Sequence, residues 1–213
     1  MNTFTAGSCI QFGWDTFKKR PWFFIGATLL YLVVIAVVVS LLNELIVQGG
    51  ILAFIGTIAR LAVQMLISMG VISFALKAHD DVEHVSIMDL WHPRPFWKYI
   101  GASLLFGLIF VVGLILVIIP GIIWGIMFGF AVYLVIDKNM WPIEALKESK
   151  RITYGYKWEL FLLGILSFLV ALLGIICLGV GLLVAYPVII FANVHAYRVL
   201  SQRAGTSTTS SAM

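Results

Sequence analysis

The chain has 213 residues, of which 62% are hydrophobic and only 11% charged, with a formal net charge of +4. A soluble globular domain carries roughly 45–50% apolar and 25% charged residues, so a water-soluble fold is excluded. Several stretches of 17 or more residues run almost without charge, which is enough helix to cross a hydrocarbon layer about 30 Å thick. Because each helix pairs its own backbone groups, an all-α polytopic transmembrane bundle follows.

Residues 1–20 lack the short apolar run and small-residue cleavage site of a signal peptide, so the N-terminus is expected to remain. Six spans are predicted over residues 22–48, 51–77, 98–119, 121–137, 158–177 and 180–200. They form three hairpins, about 22–77, 98–137 and 158–200, with turns at Gln48-Gly49-Gly50, Pro120-Gly121 and Leu178-Gly179. The whole of 1–203 reads as one six-helix domain, and Ala204–Met213, small and polar, as a disordered cytoplasmic tail. Cys9 and Cys177 fall at opposite ends of the spans, too far apart for a disulfide, and are expected to be packing residues.

Of the 14 Lys and Arg residues, all but Arg60 lie at one end of the spans, and the three hairpin turns carry none. The positive-inside rule therefore places both termini in the cytoplasm, in a bacterial cytoplasmic (inner) membrane, with the basic border against anionic lipid headgroups. Basic residues spread along membrane borders in this way argue against nucleic acid as a partner.

A short segment expected to lie in the membrane interface precedes each hairpin. The first has Ile10, Trp14 and Phe17 on one helical side, then Lys18, Lys19 and Arg20, and stops at Pro21. Ser86 and Asp89 mark the second as a capping-box pattern, with Ile87, Leu90 and Trp91 apolar and Pro93 and Pro95 as breakers. Pro142 starts the third, which pairs Glu144 with Lys147 and Glu148 with Arg151 and ends near Gly155. All three enter the bilayer through a tryptophan: Trp22, Trp97 and Trp158. The sequences WFFIGATLL, WKYIGASLL and WELFLLGIL align there, suggesting three copies of one unit.

Ile119-Pro120-Gly121, then Glu144-Ala145-Leu146-Lys147 with Ser149, and Gly155 before Lys157-Trp158, resemble an uncharacterised group of bacterial integral membrane proteins. That group is related to the membrane domain accompanying some glycerophosphoryl diester phosphodiesterases. The resemblance implies a six-helix fold with amphipathic connectors. In the phosphodiesterase members catalysis belongs to a separate soluble domain, so no catalytic residue is carried over.

Arg60 lies well inside the second span, where an arginine costs at least ~2.5–3.5 kcal/mol. Thr57, Gln64 and Ser68 share its helical side. The stripe is expected to face the bundle interior or a wet cavity. There Arg60 either pairs with Glu44 across the first hairpin or binds an anionic amphiphile. Gly121, Gly125 and Gly129 form a small-residue groove beginning beside Pro120, for packing within the monomer or between copies.

His79, Asp80, Asp81, Glu83 and His84 bunch after the second span but match no metal-site spacing, and a solvated loop is the simpler expectation. His195, Tyr197 and Arg198 are expected to anchor the last span at the headgroups, and Asn193 to bond another helix. No cofactor or metal is implied and no catalytic constellation is present. Three functions remain: a non-catalytic protein that interacts with or organises lipids; a small transporter or channel, or an accessory subunit of a membrane complex; and a membrane enzyme, the least supported. A homo-oligomer or a partner membrane protein fits the glycine groove.

Overall fold

The computed structural model describes residues 4–90, 95–116, 118–177 and 179–210. Every regular element among them is helical: α1 (Ala6–Lys19), α2 (Pro21–Val47), α3 (Gly50–Asp80), a 3-10 turn (Ile87–Leu90), α4 (Phe96–Leu116), α5 (Ile118–Phe128), α6 (Ala131–Lys138), α7 (Pro142–Ile152), α8 (Lys157–Ile176) and α9 (Leu182–Ser210). Six stretches are long and apolar enough to cross a membrane, the fourth being α5 and α6 together. They make the three expected hairpins.

The first hairpin turns through Gly49 and Gly50, whose φ angles of 75° and 58° suit residues without a Cβ. Helix α5 begins at Ile118, ahead of the turn expected at Pro120-Gly121. Pro120 sits inside the first turn of α5, where its missing N–H costs nothing. Leu178 lies outside the described residues, and Gly179 beside it has φ 77°. Helix α9 continues to Ser210, so the segment expected as a disordered tail from Ala204 begins as helix.

Helix α9 is the central strut, packed against α1, α2, α3, α7 and α8. The largest fully buried side chains, among them Tyr197, Phe24, Phe191, Met69, Leu134 and Leu163, come from α9, α2, α3, α6 and α8. They gather toward the end of the bundle that carries the basic residues. Toward the turns the helices face outward, with Val47, Ile51, Phe54, Ile115, Ile119 and Val180 exposed, as suits surface meant for lipid chains.

The segments expected at the interface are partly drawn into this core. Helix α1 buries Ala6, Cys9, Gly13, Thr16 and Phe17 and leaves Trp14 exposed, so its inner side differs from the expected Ile10, Trp14 and Phe17 stripe. The determinant is Gly13: a Cβ there would lie 2.3 Å from the Val188 carbonyl oxygen, so α1 rests on the backbone of α9. The Glu159 carboxylate of α8 accepts the Ala6 N–H at 2.9 Å, placing a negative charge at the positive end of α1. Burial pushes the Cys9 thiol up to about 11, consistent with a packing role. Cys177 is exposed, contrary to that expectation, because it lies at the unpacked turn end.

Helix α7 fills a gap in the fourth span. That span breaks between Phe128 and Ala131, leaving the Met127 carbonyl at the end of α5. The buried Ser149 hydroxyl donates to it at 2.8 Å, and the buried Thr153 hydroxyl, which donates to the Ser149 carbonyl at 2.9 Å, stands 3.4 Å from the same oxygen. The expected Glu148–Arg151 pair forms, with both contacts at 2.7 Å, and it holds the Arg151 guanidinium above its ordinary pKa. Glu144 turns instead to the Trp141 N–H at 3.4 Å, closing the N-terminus of α7. In the second segment Asp89 caps Ser86 as expected, its Oδ2 accepting the Ser86 N–H at 3.0 Å. Lys77, followed by Ser86, holds the Asp89 carboxyl below its usual pKa. Trp91 and Pro93 lie outside the described residues.

The packing of α1 on α9 gives a direct expectation. Gly13→Ala drives a methyl into a backbone carbonyl and should lower stability by about 1–3 kcal/mol. Gly7→Ala in the same helix meets nothing within 4 Å and should be neutral or stabilising, since alanine is the better helix former by up to ~1 kcal/mol. Thermal unfolding of the purified variants in detergent checks both; equal losses would mean that α1 does not rest on α9.

Candidate functional site

The most connected polar structure lies at the basic end, where α1, α3, α6 and α9 converge. Arg198 of α9 donates to Asp137 of α6 at 2.9 and 3.0 Å and to Asp80 of α3 at 2.6 Å. The Tyr197 hydroxyl donates to the same Asp137 at 2.7 Å, from a side chain that is wholly buried. One guanidinium therefore ties the ends of three spans. Tyr133 stacks on Tyr197 with ring centroids 5.6 Å apart, extending the tie into the bundle.

Beside it, His79 and His195 meet through Nε2 and Nδ1 at 3.2 Å. Phe12 of α1 lies 4.0 Å from the His195 ring centroid and stacks on it. Asp80 takes the other nitrogen of His79 at 3.2 Å. Arg20 closes the edge, donating to the carbonyls of Val82, Glu83 and Val85 at 3.1, 3.0 and 3.4 Å. A cavity of about 570 Å³, lined by Lys19, Arg20, His79, Asp80, Asp81, Val82 and Glu83, opens here. Its lysine and arginine are balanced by three carboxylates.

This arrangement revises several expectations. His195, Tyr197 and Arg198 tie α9 to its neighbours and do not simply anchor it at headgroups. Of the expected solvated loop, only the part beyond Asp80 is one: His84 pairs with Asp81 at 2.8 Å on the exposed surface, while His79 is largely enclosed. The His84 hydrogen bond, above all, draws the Asp81 carboxyl below its usual value. No group of three metal-capable side chains occurs among the described residues. Asn193 donates to the Ile189 carbonyl of its own helix at 2.8 Å, where a bond to another helix was expected.

The Arg60 stripe does not face a bundle interior. Arg60, Thr57 and Gln64 are exposed on α3, and Ser68 is half-buried. Arg60 donates to Asn43 Oδ1 at 3.3 Å, and no Arg60–Glu44 ion pair within 4 Å is found among the described residues. Asn43 rather than its neighbour Glu44 faces the partner helix at that level. Thr57 and Ser68 turn their hydroxyls back to the Ala53 and Gln64 carbonyls at 2.7 and 2.8 Å.

The glycines of the fourth span serve the monomer. A Cβ on Gly121 would lie 2.7 Å from Leu114, and one on Gly125 3.0 Å from the Phe110 ring, both on α4. Gly129 sits at the break itself. Between α5/α6 and α8 this leaves a cavity of about 240 Å³ lined by Gly125, Gly129, Tyr133, Gly164 and Asn193 among others.

Residues 102–204, from α4 to the end of the last span, match the family described as "Protein of unknown function (DUF975)". Uncharacterised proteins of Mycobacterium tuberculosis (strains H37Rv and CDC 1551) and Mycobacterium bovis are each 27% identical to the chain over 226 aligned residues, covering 93% of it and 69% of the relative. None of these matches is to a phosphodiesterase membrane domain. No solved structure matches the chain.

The basic-end tie is testable through Asp137, whose side chain is 16% exposed, and Arg198, 21% exposed. Asp137→Ala strands a partly buried guanidinium and a buried phenol, so about 2–4 kcal/mol of stability should be lost. In a double-mutant cycle, Arg198→Met on that background should cost far less than on wild type. Additive losses would show that the two side chains act independently.

Proposed function

We propose that the protein is a non-catalytic, multi-pass protein of the bacterial cytoplasmic membrane that interacts with and organises anionic lipids along its basic border, with both termini cytoplasmic. The observation that carries this reading is the composition of that border. Trp14, Trp22, Trp97, Trp141, Trp158 and Tyr154 are all exposed there, between 45% and 84%. Aromatic rings at this level sit among headgroups. Lysines accompany them: Lys18 lies 5.7 Å from the Trp14 ring centroid and Lys98 4.9 Å from that of Trp141. Lys19, Lys147, Lys150 and Lys157 are exposed between the rings. Each lysine near an anionic surface contributes about 1 kcal/mol.

Arg60 supports a lipid-facing role less directly, being exposed on the first hairpin with Asn43 as its partner. A coupled transporter is favoured by one feature, the interrupted fourth span, and would reveal itself by solute flux in proteoliposomes.

The test is lipid retention by the purified full chain, read by native mass spectrometry after exposure to mixed phosphatidylglycerol and phosphatidylcholine. Wild type and Arg60→Ala should keep phosphatidylglycerol preferentially, and the triple variant Lys19→Gln, Lys147→Gln, Lys150→Gln should lose that preference while remaining folded. Equal retention of both lipids by the wild type would contradict the reading, as would a preference abolished by Arg60→Ala alone.

A further inference from the structure

Two cavities between α5/α6 and α8 meet at Ile126. The first, about 240 Å³, is walled by Gly125, Gly129 and Gly164 and floored by Tyr133 and Asn193. The second, about 430 Å³, has Ile119, Ile122 and Ile123 on one wall and Lys157, Trp158 and Phe161 on the other. Ile119, Ile122, Ile123, Trp158 and Gly164 are exposed, so the combined groove opens sideways, where a spanning protein meets lipid.

The floor has unused hydrogen-bonding capacity. The Asn193 amide spends one N–H on Ile189, which leaves a second N–H and the carbonyl oxygen. No partner of the Tyr133 hydroxyl is found among the described residues. Where the groove faces hydrocarbon, such groups cost free energy until a ligand satisfies them. The isoleucine wall offers apolar surface of acyl-chain character beside them. Lys157, exposed at the mouth and with no ion-pair partner among the described residues, offers a cation.

Apolar slot, hydrogen-bonding floor and single cation together match one amphiphile. We infer that this groove is a glycerophospholipid site: an acyl chain lies along Ile119, Ile122 and Ile123, the phosphate meets Lys157, and an ester oxygen accepts from Tyr133 and Asn193. The glycines are what make it: a side chain at Gly164 would project into the space, and the fold would not resist it, since a Cβ there meets nothing within 4 Å. The inference rests on the lipid-interacting reading above and gives it a bound, stoichiometric ligand in a groove that reaches the border at Lys157 and Trp158.

The experiment uses the full chain in phosphatidylcholine vesicles doped with phosphatidylglycerol carrying a diazirine in one acyl chain, with labelled peptides mapped by mass spectrometry. Labelling should concentrate on α5 and α8. It should fall several-fold in Gly164→Leu and in Lys157→Gln, and stay unchanged in Gly26→Leu, which adds the same side chain at another exposed, unobstructed glycine. A diazirine phosphatidylcholine arm separates the two ideas: groove labelling by both lipids supports the site even if the border shows no anionic preference. Labelling spread evenly over all lipid-facing helices would overturn the site whatever the border does. So would undiminished labelling of Gly164→Leu, or labelling by a photoactivatable fatty acid but by neither phospholipid.

Discussion

The constraint on which the structure depends is that a backbone broken inside a membrane must find new partners for the groups it frees. The fourth span breaks between Phe128 and Ala131, and water is not on hand to solvate the Met127 carbonyl. Helix α7 resolves this by bringing the Ser149 hydroxyl to it, with Thr153 alongside. A segment that looks like a surface ornament is thereby part of the membrane core. Its acidic first turn and its Glu148–Arg151 pair remain outside, where charge is tolerated.

The same logic runs through the other end of the chain. Helix α1 is amphipathic and could lie flat on a membrane, yet Gly13 lets it touch the α9 backbone directly. Small residues permit such contact where hydrocarbon surroundings supply no hydrophobic drive between helices. With α1 and α7 in place, the basic end becomes the packed end, and Arg198 with Asp80 and Asp137 locks its register. The turn end stays open to lipid. The molecule is consequently asymmetric: rigid and polar at one border, loosely packed at the other, with a sideways groove where the broken span leaves room.

Much of this was legible. Run length and charge placement located all six spans, because the bilayer imposes a length and expels charge. Glycine and proline marked the turns to within a few residues. Side-chain periodicity fared less well. Thr57, Arg60, Gln64 and Ser68 do share one side of α3, but periodicity cannot say what stands opposite, and there it is Asn43 and open surface. Amphipathicity on α1 was likewise visible, while the choice of Cys9 and Gly13 over Trp14 as the inner side depends on the shape of α9. The Asp137–Arg198 tie joins residues 61 positions apart, beyond any local pattern. The available signal was a lone carboxylate closing an apolar run, Asp137 before Lys138, which in a membrane calls for a partner.

The most direct test of this account is the thermal stability and backbone exchange of the double variant Ser149→Ala, Thr153→Val in detergent. Without the two hydroxyls the Met127 carbonyl is left buried and unpaired, so a loss of about 1–3 kcal/mol is expected, with faster amide exchange concentrated in α7 and at the α5–α6 junction. A variant as stable as wild type, with unchanged exchange there, would contradict the claim that α7 completes the broken span.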